Sequence, residues 1–288
     1  MKMFISDIFK TFNIERTQLN TIAVKGLIAA MISKGVCIQE KQKLVFNEQL
    51  FIECWSVYFE CLTYFDFNYN RKTDFSLFFK YILDCKLLSK EINFHALFCP
   101  GYTKNGYKPY LGNTTLWKLK ALREIIDTLR DNDIYSTMTC YYSDVFLENC
   151  NSKLEPNWQA QLNYNRMLFR QEGSKYFDFN DIKNASDISI FTLEKDAAGF
   201  VDDTIIGSIP KSTYDAFVKS NRKFYTSMGF TEEEMKYRND RLITMYRLFS
   251  DYLNTKSSSV FLPMENMYER ENIFSENGTC TMYLKLKK

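Results

Sequence analysis

One stretch of the chain, residues 92–142, constrains the fold more than any other. It begins with the nearly continuous apolar run INFHALFC and ends with a second apolar run, IYSTMTCYY. Between them, LWKLKALREIIDTLRDN carries leucine and isoleucine at helical spacing, and we expect Thr114 or Thr115 to cap this helix. Two strands joined by a helix normally lie parallel, with a right-handed crossover. The sequence therefore predicts an α/β protein with a Rossmann-like, mainly parallel sheet flanked by helices.

The remainder of the chain continues the alternation of helices and strands. Thr231 and Glu234 have the spacing of a capping box at the start of one of the later helices. Residues 89–288 are therefore predicted to form the Rossmann-like catalytic domain. Its later elements are a polar helix at 156–172, a strand at 188–193, helices at 211–228 and 231–253, and closing strands in SVFLPM and TCTMYLKL.

Residues 1–88 are predicted to form an α-rich N-terminal cap. Apolar residues recur at helical spacing in 15–34 and in 73–90, while VCIQ and KLVF resemble two short strands or a wing-like ribbon. A winged-helix-like unit is the alternative interpretation, although a recognition helix rich in arginine and lysine is not visible in this segment.

Composition excludes several classes of protein. Apolar residues make up 45 % of the chain and charged residues 25 %, which is typical of a packed globular protein and not of a disordered one. The 37 basic and 35 acidic side chains leave a net charge of +2, too small for a general nucleic-acid binder. The eight cysteines form no CxxC pair and there is one histidine, so a zinc site is not expected, and neither is any other cofactor.

The sequence also lacks the signals of a membrane or secreted protein. An apolar run near the ~20 residues that cross a bilayer is missing, and the start MKMFISDIFKTF carries charges where a signal peptide is apolar. We therefore expect a cytoplasmic protein without a membrane partner.

Candidate functional residues follow the predicted strands, because parallel α/β sheets bind ligands at the carboxyl ends of their strands. The 99–113 loop is long and glycine-rich, and with the next helix N-terminus it could hold a phosphate or carboxylate, or be an ordinary surface loop. Asp144 follows the second strand, where its carboxylate could accept a hydrogen bond from an amine or a sugar hydroxyl, or cap the segment that follows. The substrate-binding candidates are Tyr102, Lys104 and Asn105 of the loop and, on helix 231–253, the arginines Arg238 and Arg241, expected to be exposed.

Further candidates have simpler alternatives. Glu265 follows the strand SVFLPM in a charged segment that is either part of the active edge or a salt-bridged loop. His95 lies within the first strand and is expected to be a core residue rather than a base. Cys99 could be a nucleophile, but a buried structural thiol is the stronger interpretation.

The segment LLSKEINFHALFCPGYTKNGYKPYLGNTTLWKLKALREI resembles the entry to the sheet in isocyanide (isonitrile) synthases, the pyoverdine and dityrosine biosynthesis superfamily. Phe98, Asn105, Lys108 and Gly112 fall in a comparable order, and SDVF at 143–146 resembles the family's Ser-Asp-Gly-Arg-Val-Phe segment. This resemblance implies condensation of an amino acid's amine with a pentulose phosphate. It would make Asp144, Lys108 and Glu265 catalytic, with lysines and arginines on the phosphate.

FCPGYTK is also similar to the Gly-Val-Ser-Pro-x-Asn loop of tRNA-dependent cyclodipeptide synthases, which would put Cys99 in the place of the nucleophilic serine. The helix at 156–172, with Arg166 and Arg170, would then contact tRNA phosphates. The favoured prediction is a biosynthetic synthase or transferase of secondary metabolism that acts on an amino acid and a sugar phosphate. A cyclodipeptide-synthase-like transferase and a non-catalytic nucleic-acid-binding regulator are the alternatives.

Overall fold

A computed structural model describes residues 2–3, 37–40, 43–46, 48–62, 75–98, 101–103, 106–110, 113–147, 156–189, 201–264, 273–274 and 278–282. In chain order the described strands are β1 (Lys2–Met3), β2 (Cys37–Glu40), β3 (Lys43–Phe46), β4 (Ile92–Phe98), β5 (Gly101–Thr103), β6 (Gly106–Tyr110), β7 (Ser136–Tyr142), β8 (Ile182–Asn184), β9 (Ser259–Pro263) and β10 (Cys280–Thr281). The described helices are α1 (Glu48–Leu62), α2 (Phe75–Leu88), α3 (Asn113–Asp131), α4 (Asp144–Leu147), α5 (Trp158–Gly173), α6 (Asp203–Ser208), α7 (Lys211–Ser227) and α8 (Glu232–Asn254).

Within the described ranges, the central sheet has five strands, all parallel, in the order β10-β9-β4-β7-β8. The chain starts in the middle at β4, moves outward through β7 to β8, and then crosses back to β9 and β10 on the other side. This is the 3-2-1-4-5 strand order of a doubly wound Rossmann fold. The predicted fold class is therefore confirmed.

The central strand β4 is buried on both faces, which explains its almost uninterrupted apolar sequence. Phe94, Ala96 and Phe98 belong to one hydrophobic core, and Leu97, on the opposite face, belongs to a second. Helices α1, α2, α3 and α5 contribute to the first core, and α4, α7 and α8 contribute to the second. The result is a three-layer arrangement in which the sheet separates two packed cores.

The first core reaches into the N-terminal region. Trp55 and Tyr58 of α1 lie 5.5 and 5.3 Å from the Phe79 ring of α2, and Phe78 lies 6.1 Å from Phe94 of the sheet. The two short strands predicted in this region correspond to β2 and β3, which pair antiparallel, and β1 adds a third strand. The predicted helix at 15–34 lies outside the described residues, and the division at residue 88 stays a prediction.

Three predicted local features are wrong. The third strand is β8, at 182–184, whereas Ile188 and Ser189, the described residues of the predicted strand 188–193, are not in a strand. The 99–113 segment is not structureless, since β5 and β6 pair as an antiparallel hairpin. Helix α3 already begins at Asn113, so Thr114 and Thr115 lie inside its first turn and do not precede it as a cap.

Candidate functional site

The carboxyl edge of the sheet is where the two halves of the fold diverge. The chain leaves β4 toward β7, while the second half returns to β9 on the other side of β4, so the switch point lies beyond Phe98 and Pro263. The Lys118 ammonium group of α3 donates a hydrogen bond to the Met264 carbonyl, directly after β9. Ligands of doubly wound sheets bind in the crevice at such a switch point.

Asp144 follows β7 at this edge and is fully buried. Nε and Nη2 of Arg166 each lie 2.6 Å from Oδ2 of Asp144, and the Ser186 backbone N–H donates to Oδ1 at 3.0 Å. The Ser186 hydroxyl also donates to Oδ2, at 2.5 Å. A buried carboxylate needs a cation and several donors to be tolerated, and Asp144 has both.

The Asp144 carboxylate holds the Arg166 guanidinium at the carboxyl edge of the sheet. Its side chain is 25 % exposed, and Nη1 donates to Oδ1 of Asn163 at 2.8 Å. Its planar fork suits carboxylates and phosphates. Asp144 is the first residue of α4 and not a cap before it, and its carboxylate serves to fix the arginine.

A second ion pair lies one helical turn further along α5. Arg170 pairs with Asp187, whose Oδ2 accepts from the Asn184 backbone N–H at 2.8 Å. The Arg170 guanidinium also lies 5.7 Å from the centre of the Phe179 ring. The two arginines of α5 thus tie this helix to the segments that follow β7 and β8.

Ser143 supports the edge without presenting a reactive hydroxyl. Its backbone N–H and its hydroxyl both donate to the Phe98 carbonyl at 2.8 Å, and the residue is fully buried. The contact joins the ends of β4 and β7, the two strands whose following segments carry the predicted site.

Asn165, next to the partly exposed Arg166, is a polar residue that α5 buries near this edge, at 1 % exposure. One turn further along the helix, the Phe169 ring lies 5.2 Å from Phe98 and 5.4 Å from Tyr142, the last residues of β4 and β7. Asn165 therefore lies at or just beyond the ends of these strands.

The structure places the other predicted residues as follows. Arg238 and Arg241 lie near the start of α8 but are buried, not exposed as expected, and the Arg238 guanidinium covers the Phe230 ring at 4.1 Å. Tyr102 lies on β5 and Lys108 on β6. Lys104, Asn105, Glu265 and Cys99 lie outside the described residues, so their roles stay predictions.

His95 is buried as expected, with 2 % exposure. Its ring stacks on Tyr141 with centroids 6.0 Å apart, and both ring nitrogens are without a hydrogen-bond partner among the described residues. Burial, with contributions from the charges of Lys256 and Lys183, lowers the pKa of His95 to about 3. The imidazole is therefore neutral at physiological pH.

The described thiols are inert, in agreement with their predicted packing role. Cys54, Cys61, Cys85, Cys140 and Cys280 are all buried. Burial raises the pKa of Cys54 to about 11 and that of Cys61 to about 12. Among the described residues, no cluster of three or more His, Cys, Asp or Glu side chains could hold a metal ion, and none of the described helices is both long and apolar enough to span a membrane.

Sequence reasoning missed Ser186 and Asp187 because it placed the third strand too late in the chain. It noted Arg166 and Arg170 only as possible tRNA contacts. Arg166 and Arg170 are four residues apart, so they share one face of the helix that follows the second strand. This spacing was the signal from which two neighbouring arginines at the carboxyl edge could have been predicted.

Comparisons with known proteins do not assign this chain to a family. Neither the protein-family models nor the curated proteins include a match to this chain. Among solved structures, a CDPS from Staphylococcus haemolyticus is 12 % identical with a TM-score of 0.43, covering 83 % of this chain and 96 % of its own. The PvcA protein from Pseudomonas aeruginosa is 11 % identical with a TM-score of 0.49, covering 81 % of this chain and 83 % of its own.

A tryptophanyl-tRNA synthetase from Encephalitozoon cuniculi bound to tryptophan is 10 % identical with a TM-score of 0.47, covering 90 % of this chain and 69 % of its own. The two resemblances read from the sequence, to isocyanide synthases and to cyclodipeptide synthases, are thus confirmed as distant ones.

Proposed function

We propose that this chain is a biosynthetic transferase or synthase that binds an amino-acid substrate and a pentulose phosphate at the carboxyl edge of its sheet. The observation that carries the proposal is the Arg166 guanidinium, partly exposed and fixed by the fully buried Asp144 carboxylate, which follows β7 at the carboxyl edge of the sheet. A fixed arginine at this place suits a substrate that carries a carboxylate or a phosphate.

The sequence resemblance supplies the reaction class. The Ser-Asp segment that resembles isocyanide synthases, residues 143–146, begins at the edge where the anion would bind. In the proposed reaction the amine nitrogen attacks the pentulose carbonyl carbon, and loss of water leaves a carbon–nitrogen double bond. Lys108 and Lys104 are assigned to the phosphate, and Glu265 to proton transfer.

The structure supports a changed role for Asp144 in this proposal. Its carboxylate is saturated by Arg166 and Ser186 and has no exposed surface, so direct proton exchange with a substrate is unfavourable. We therefore assign Asp144 as the residue that positions Arg166. Asp144→Asn should then raise KM through Arg166 more than it lowers kcat.

The test is an incubation of the protein with each of the twenty amino acids and ribulose 5-phosphate, followed by mass spectrometry. We expect at least one amino acid to be consumed together with the sugar phosphate. Arg166→Gln should raise KM by about 10- to 100-fold, the value of one or two charge-assisted hydrogen bonds, and Arg166→Lys should raise it less.

The matched control is Arg222→Gln. Arg222 pairs with Glu232 on the surface of α7 and α8, and both side chains are more than half exposed. This variant should keep the activity. Failure to consume any amino acid with the sugar phosphate, or an unchanged KM in Arg166→Gln, would refute the proposal.

A further inference from the structure

Lys118 brings a positive charge to the switch point itself. It belongs to α3, and its ammonium group donates a hydrogen bond to the carbonyl of Met264, the residue that directly follows β9. The Met264 backbone N–H in turn donates to the Leu97 carbonyl of β4 at 3.1 Å. The ammonium group therefore lies where β4 and β9 end, at the boundary between the two halves of the sheet.

The charge of Lys118 is not balanced by a carboxylate in the part of the chain that the structure describes. Its hydrogen-bond partner there is a neutral carbonyl. An ammonium group has three N–H donors, so two are left for a ligand. Lys118 is half-buried, so it keeps surface that a ligand can reach, whereas the Asp144 carboxylate does not.

Helix α3 adds to the positive potential at this place. It runs from the carboxyl edge, where Lys118 contacts Met264, to the other edge, where the Arg130 guanidinium donates to the Ser136 carbonyl at 3.1 Å. The N-terminal end of α3, which is the positive end of its dipole, therefore faces the carboxyl edge, and its first turn carries no acidic residue. Both features favour a multiply charged anion beside Lys118.

Two cations of different strength thus flank the end of β4. Lys118 lies at the end of β9, and Arg166 contacts Asp144 after β7, while their helices α3 and α5 both pack on the first core. Because β9 and β7 are the two neighbours of β4, their ends are about 10 Å apart. Asp144 balances the charge of Arg166, so a dianion is attracted more strongly to Lys118 than to Arg166.

We propose that Lys118 binds the phosphate of the sugar-phosphate substrate, while Arg166 binds the carboxylate of the amino acid, an inference that rests on the function proposed above. A phosphate monoester carries a charge of about −1.5 to −2 at pH 7, and a carboxylate carries a single negative charge. The product of condensation between the two substrates has its phosphate and its carboxylate at opposite ends, so one molecule can contact both cations. Lys118 is thus a phosphate-binding residue in addition to Lys104 and Lys108.

The experiment is isothermal titration calorimetry with ribulose 5-phosphate at pH 7.5 and low salt. Lys118→Met keeps the length of the side chain and removes its charge, so it should weaken binding about tenfold or more. Lys118→Arg keeps the charge and should lose less, an order that a merely structural lysine would not produce. If Lys118→Met does not fold, Lys118→Gln replaces it, because glutamine is neutral and can still donate to the Met264 carbonyl.

The matched control is Lys120→Met. Lys120 lies on the same helix and is exposed, so this variant makes the same change in charge away from the proposed contact. It should bind ribulose 5-phosphate as the wild type does. Arg166→Gln should also keep the affinity for ribulose 5-phosphate, because its effect is expected on the amino acid.

The outcomes separate this inference from the proposed function. If the wild type binds ribulose 5-phosphate and Lys118→Met binds it equally well, the inference is wrong and the proposed function stands. Equal weakening in Lys118→Met and in Lys120→Met or Arg166→Gln would also overturn the inference. If Lys118→Met alone weakens binding but the wild type consumes no amino acid, the inference stands and the proposed reaction falls. If the wild type does not bind ribulose 5-phosphate, both fall together.

Discussion

His95 should make the stability of this protein depend on pH in a way that one substitution removes. It is the only histidine of the chain, its ring is 2 % exposed, and both nitrogens lack partners among the described residues. Its pKa in the folded protein is about 3, against 6.5 for an ordinary histidine. Between these values the unfolded chain binds a proton that the folded protein does not, so stability falls as the pH falls.

The size of the effect follows from the two pKa values. At about pH 5, roughly 1.5 units below the ordinary pKa of histidine, His95 is protonated in the unfolded chain but not in the folded protein. This protonation stabilises the unfolded chain by about 2 kcal/mol. The loss begins near pH 6.5 and ends near pH 3. A protein of this kind is stable by only about 5–15 kcal/mol, so a loss of this size is readily measured.

The assay is urea denaturation, followed by tryptophan fluorescence at pH 8, 7, 6 and 5, of the wild type and of His95→Phe. The quantity compared is the change in unfolding free energy with pH, so any repacking around the new ring cancels. Burial also raises the pKa of Asp181, but that group is present in both proteins. The wild type should lose about 2 kcal/mol more than the variant between pH 8 and pH 5. Parallel curves for the two proteins would show that His95 is solvated or hydrogen-bonded, and the reasoning would be refuted.

Two further predictions use the same denaturation assay at pH 7.5. Arg166→Ala should lower the unfolding free energy by about 3 kcal/mol, because it leaves the buried Asp144 carboxylate without its cation. Arg222→Ala, which breaks an exposed ion pair, should lower it by about 1 kcal/mol or less. Equal losses in the two variants would contradict this prediction. Gly173→Ala should cost about 1–2 kcal/mol, because the new Cβ would lie 2.8–3.0 Å from three side-chain atoms of Ile182, and Ile182→Val should recover part of that cost. A stabilising Gly173→Ala would show that α5 and β8 can separate freely.

The parallel sheet was predictable because its central strands are buried on both faces. Strands β4 and β7 show this as apolar runs that begin and end within two residues of the observed strands. The start of α8 was equally clear, since Thr231 and Glu234 form the predicted capping box. Strand β8 escaped detection because it is a three-residue edge strand with the half-buried Lys183 at its centre.

The candidate site was predictable only in part. Asp144 could be found because it follows a recognisable strand. Its partners Arg166 and Ser186 lie 22 and 42 residues further on, and their meeting depends on how α5 packs and where β8 begins. Lys118 and Met264, whose carbonyl accepts from the lysine, are 146 residues apart in the chain. Residue spacing within a single segment cannot predict a contact of this kind.

The aromatic packing of α1 and α2 against the sheet limits how this chain can be shortened. Trp55 and Tyr58 lie on the same ring cluster that covers Phe94 at the centre of the sheet. A deletion that ends between α1 and α2 would uncover this cluster to water, and the truncated product would be prone to aggregate whatever the N-terminal region does. A shortened form meant to keep the sheet intact therefore has to begin before Glu48.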